Sequence, residues 1–161
     1  MKPCPGCRAS VPETDGPTHR YIGASSGCWE IFGEVLAREY EDYRYWPAHR
    51  MTVDAYAAQH PGTPSPQSTN SVAVHLISLY LTLEKGLSTE WTLKEMKRAS
   101  DRGHESFFWL EPPMDPGEIT VLDVRDANNP TDHKRLVEGW ARSVWEAWEP
   151  HHETVRKWAK L

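Results

Sequence analysis

The chain has 161 residues, enough for one domain with a real core. Its formal net charge of −5 argues against a nucleic-acid surface, no apolar run reaches membrane-spanning length, and the opening MKPCPGC has no apolar signal core. These features predict a soluble, cytoplasmic protein, with a small molecule or another protein as partner and neither nucleic acid nor membrane.

Residues 1–27 are rich in proline and glycine and carry no helical or strand period. Such a segment needs an external tie to be ordered. Cys4-Pro5-Gly6-Cys7 supplies one, because its tight turn lets two thiolates converge on a single ion. There is no second C-x-x-C, so the remaining donors must come from elsewhere. His19 and Cys28 complete a C-x2-C-x11-H-x8-C pattern, which predicts a Cys3His zinc site from Cys4, Cys7, His19 and Cys28. His49, His60 or His75 could fold back and replace His19. C-x-x-C also serves redox enzymes, where it opens a helix after a strand, but the residues before Cys4 do not read as one.

Ser25 or Ser26 can cap a first helix over about 28–43, with Trp29, Phe32, Val35, Leu36 and Tyr40 inward and Glu39 among its wet residues. Cys28 then sits at a helix N-terminus, where the dipole favours a thiolate. Pro47 opens a second helix that Pro61-Gly62 stops. His49, Val53, Tyr56 and His60 share one face of it, yet His49 and His60 lie roughly 16 Å apart along its axis and cannot chelate one ion. Ser65-Pro66 starts a third helix that runs to about residue 85 and stops at Gly86. It is apolar nearly all round, apart from a stripe of Gln67, Ser71, His75, Ser78 and Thr82. That stripe either faces solvent and a neighbouring backbone or lines a polar cavity around His75.

A short helix over 92–100 follows, with a basic face of Lys94, Lys97 and Arg98. Runs 106–110 and 119–124 are β-prone and flank a proline-rich turn, which predicts a hairpin near 105–125. Asn129-Pro130 opens the last long helix, with Val137, Trp140, Val144 and Trp148 inward. Pro150 must kink it or restart it, which leaves open whether His151 or His152 faces inward. Eight tryptophans suit a large core, and some could wall a ligand pocket. The expected architecture is mainly α: a bundle-like single domain over 1–161, with 1–27 an irregular zinc-knuckle segment and 28–161 a helical body that includes the hairpin.

The motifs CPGC, GPTHRY, GCW, HRMTVDAYAAQHPG, SPQS, SVAVHL, WLEPP and WARSVWEAWEPHH together resemble a family of small bacterial proteins of unknown function, over nearly the full length. The resemblance implies that Cys4, Cys7, His19, Cys28, His49, His60, His75 and the His151–His152 pair sit inside recurrent motifs. It implies no activity. Arg8 stands where such a knuckle often carries glycine. In general layout the chain is also similar to DinB-like metal-dependent helical bundles, which hold a metal with three histidines. The H-x3-H pair expected of those is absent here, and His151 and His152 are adjacent.

Two functions follow. The first is a helical protein held by one structural zinc ion, acting as an adaptor or regulator. The alternative is a metal-dependent small-molecule hydrolase or transferase, with a second metal or a pocket among His49, His60, His75, His151, His152, Gln67, Ser71 and Tyr56. Its catalytic candidates are His49, His75 and His151, with Asp54 or Glu153 to orient a general base. The chain contains no phosphate-binding glycine loop, nucleophile elbow or H-E-x-x-H.

Overall fold

The computed structural model describes residues 1–160. Two short strands, β1 (Lys2–Pro3) and β2 (Ser10–Val11), pair antiparallel. The helices are α1 (Ser26–Glu41), α2 (His49–Gln59), α3 (Pro66–Leu83), α4 (Thr89–Asp101), α5 (Val121–Arg125), α6 (Pro130–Ala147) and α7 (His152–Lys160). Polar caps set the starts of the long ones. Ser25, Ser65, Ser88 and Asn129 each accept a hydrogen bond from a first-turn N–H, and proline follows directly at α3 and α6. Among the described residues, no helix is long and apolar enough to cross a membrane.

The mainly helical architecture is as expected, with two corrections of detail. The small hairpin lies at the N-terminus, on either side of the knuckle, and not near 105–125. Residues 121–125 form α5 instead. Thr120 Oγ1 accepts from Leu122 N–H, and Asp123 Oδ2 accepts from Thr120 N–H at 2.8 Å. This local capping box outbids the β-propensity of Ile119, Val121 and Val124. The second correction concerns the faces of α1. Glu39, expected in water, is 1% exposed, whereas Tyr40, expected inside, is 67% exposed. Glu39 follows Phe32 by seven residues and Val35 by four, so it shares their buried face. At Pro150 the helix breaks into a 3-10 turn over Glu149–His151 and restarts as α7.

The middle of the fold is α2, packed between α3 and α6, with α4 and α7 flanking α3. Its burial is unusual because much of what it buries is polar: Thr52, Asp54, Gln59 and, at its C-cap, His60 are at most 2% exposed. Each polar group is matched by a partner from a different element, as burial requires. Gln59 Nε2 donates to Pro116 O at 3.1 Å and Ile119 O at 2.9 Å, and Gln59 Oε1 accepts from Trp140 Nε1 at 3.0 Å. Trp148 Nε1 donates to Ala58 O at 3.0 Å. Trp140 and Trp148 thus serve as core with their polar edges satisfied.

The polar stripe of α3 is explained by the same rule. Asp54 has a fully buried side chain and accepts from Arg50 Nη2 at 3.0 Å, from His75 Nδ1 at 2.8 Å and from Ser78 Oγ. His75 and Ser78 therefore face a neighbouring helix and not an internal cavity. Removing the carboxylate would leave three donors facing one another. Asp54→Ala is expected to destabilise the fold by about 3 kcal/mol in urea denaturation. A loss under about 0.5 kcal/mol would mean that the α2–α3 contact does not depend on this hub.

Candidate metal centre

Cys4 and Cys7 sit on the turn between β1 and β2. Cys4 N–H donates to Ala9 O and Arg8 N–H to Cys4 O, both at 2.9 Å, which folds the knuckle back on itself. Cys28 lies in the first turn of α1, and His60 is the C-cap of α2. The donor atoms of Cys4, Cys7, Cys28 and His60 all lie within 4.8 Å of one another, and all four residues are buried. Cys7 Sγ is 3.9 Å from Cys28 Sγ, and Cys28 Sγ is 3.4 Å from His60 Nε2. A tetrahedral ion about 2.3 Å from sulfur and about 2.0 Å from nitrogen sets edges near ~3.8 Å and ~3.5 Å. These two edges match that shape.

Tyr56, one helical turn before His60, supports the set twice. Its carbonyl accepts from His60 Nδ1–H at 2.7 Å, which leaves the Nε2 lone pair for the cluster. Its hydroxyl donates to Cys28 Sγ at 3.4 Å. Burial beside Cys28 pushes the Tyr56 phenol well above its ordinary range, so it stays a donor. Its ring stacks on Phe32 at 3.8 Å and on His60 at 4.0 Å. Gly6 completes the packing: a Cβ there would lie 2.3 Å from His60 Cδ2, so only glycine lets the knuckle close over the imidazole.

The four donors compete for protons. Hydrogen bonds with Cys28 and Cys7 hold the Cys4 thiol far below the ordinary thiol range, while the reciprocal bonds push Cys28 far above it. Burial pushes His60 down, but hydrogen bonds with Cys4 and Cys7 outweigh it and lift the imidazole to about 9. A divalent ion replaces shared protons in such a set, so uptake releases protons and affinity falls as pH falls.

The expected ligand His19 lies outside this group. Its ring packs against Tyr21 at 4.3 Å and Trp29 at 5.5 Å, and its Nδ1 accepts from Tyr21 N–H. Spacing favoured His19, but the fold carries the end of α2 back over the knuckle. The other candidates do not converge. His151 Nε2 donates to Glu111 O at 2.9 Å, and His152 Nε2 donates to Trp145 O at 2.7 Å while stacking on the Trp145 ring. Gln67 lines a surface groove with Asn70 and Ser100, and Ser71 is half-buried on α3.

His49 belongs to a second cluster that the sequence did not reveal. Glu39 Oε1 accepts from His49 Nδ1 at 3.1 Å, and Glu39 Oε2 accepts from His133 Nε2 at 2.9 Å and Thr52 Oγ1 at 2.6 Å. Burial pushes the Glu39 carboxyl up, but hydrogen bonds from His133, His49 and Thr52 outweigh it and hold it below the ordinary carboxylate range. The only sequence signal for this cluster was the place of Glu39 on an apolar face.

Two outcomes are expected. A depressed folded-state pKa gives stability that is present above the unfolded value of about 4.3 and lost as pH falls through the folded one. The stability gap between wild type and Glu39→Gln should therefore be full at pH 7 and shrink below about pH 4; a gap independent of pH would refute the assignment. For the metal set, His60→Ala should weaken affinity by ~100-fold or more in chelator competition, whereas His19→Ala should change it less than about threefold. The reverse order would restore His19 as the ligand.

No curated protein and no solved structure gives a significant match to this chain. One family model does, over residues 2–149, most of its length. The chain belongs to that family, described as a family of unknown function (DUF5946).

Proposed function

We propose that Cys4, Cys7, Cys28 and His60 hold one zinc ion, and that its role is structural. Three thiolates and an imidazole at tetrahedral spacing are the donors zinc prefers. The observation that carries the structural reading is closure: the four ligands are between 0% and 3% exposed, and together they fill a four-coordinate shell. A catalytic zinc keeps a position for water or substrate. The ion ties the knuckle to α1 and α2, giving a rigid helical platform suited to an adaptor or regulatory role. Its free thiols fit a reducing, cytoplasmic setting.

The enzymatic alternative has one geometric support. Asp54 orients His75, and Glu39 orients His49, through Nδ1 in each case. Neither histidine lines the groove between the knuckle, the loop after His60 and the 112–116 segment.

Elemental analysis of the purified chain should find one zinc per molecule. Stripping it with a chelator at neutral pH should lower Tm by at least ~10 °C, the shift that about 3–5 kcal/mol produces in a chain of this size. Re-addition of zinc should restore it. A protein without metal would overturn the zinc assignment, and a metal removed with no change in Tm would overturn its structural role.

A further inference from the structure

The knuckle does more than carry two ligands: it forms one wall of a groove. The groove has a volume of about 410 Å³ and lies between the knuckle, the loop after His60 and the 112–116 segment. That is within the range of small-molecule sites, about 300–1,000 Å³. More of its surface is apolar than polar, mainly from Pro5, Pro61, Pro112, Pro113 and Pro116 over a buried floor of Ala58 and Trp148. The walls are pinned from behind, since Gln59 Nε2 holds Pro116 O and Ile119 O while Trp148 Nε1 holds Ala58 O. A groove held this way needs little ordering when it is filled.

Among its lining residues only Arg8 is charged, and its charge is positive in a chain of formal net charge −5. Arg8 is also the one non-glycine residue with positive φ among the described residues, at 64°. Glycine takes that conformation without steric cost, and arginine does not. Strain of this kind collects at binding sites, where the side chain is what is needed. The guanidinium donates through Nη2 to Met114 O across the groove and pairs with no carboxylate among the described residues. Its remaining N–H groups form a fork of the shape that a carboxylate accepts.

We propose that this groove binds a small organic carboxylate with an apolar body, the carboxylate paired with Arg8 and the body lying against the prolines, above the buried Trp148. One cation among apolar walls suits a singly charged acid better than a phosphate dianion. The inference rests on the zinc reading in one respect, because Arg8 rides on the knuckle.

The test uses zinc-loaded full-length protein, 15N-labelled, titrated with hexanoate, 3-phenylpropionate and indole-3-acetate and with the uncharged amide of each. At least one acid should shift the Trp148 indole N–H signal saturably, and its amide should bind about tenfold more weakly or worse. Arg8→Gly should lose the acid to the same extent while keeping wild-type metal content and Tm, since glycine fits the left-handed position. Three outcomes would overturn the proposal: no acid shifts Trp148, acid and amide bind equally, or Arg8→Gly binds like wild type. Metal content measured on the same samples separates this failure from that of the zinc site.

Discussion

Cys28 Sγ and His60 Nε2 approach to 3.4 Å, and that contact joins the start of α1 to the end of α2 beneath the knuckle. The regular structure of the first 25 residues is one pair of two-residue strands, too little to hold their own conformation. Their order depends on the donor set that they share with the two helices. Gly6 resting on the His60 ring shows how tight that junction is. A cation at its centre would tie three chain segments, the knuckle, α1 and the end of α2, into one corner beside the groove.

The same economy runs along α2. In eleven residues it sends polar groups to α1, α3, α6 and the loop before α5. An apolar helix could have packed with less risk, because each buried polar group must find its partner or cost stability. The matched pairs instead specify one register for the helix against all its neighbours. Tyr56 carries this furthest: its ring packs in the core, its carbonyl sets the His60 tautomer and its hydroxyl reaches Cys28.

The histidines illustrate how differently one residue type can be used. His60 turns a nitrogen toward three sulfurs, whereas His75, His49 and His133 each serve a buried carboxylate. His151 and His152 satisfy carbonyls around the helix break at Pro150. These histidines thus act as planar donors at separate places in the fold.

Local chemistry was legible in the residues themselves. Caps followed by proline marked α3 and α6, Pro61-Gly62 ended α2, and CPGC announced a two-thiolate turn whose partner Cys28 begins α1. These depend on contacts a few residues apart, where spacing and geometry nearly coincide. The β-prone run at 119–124 misled because its own capping box, also local, was the stronger signal. What only the tertiary structure decided was every pairing across long separations. His60 and not His19 meets the cysteines, Glu39 turns inward to two histidines, and Asp54 meets His75. Periodicity says which side of a helix a residue occupies, but the partner on that side is chosen when the helices pack, and buried polar groups are then settled by whichever donor or acceptor the packing brings within reach.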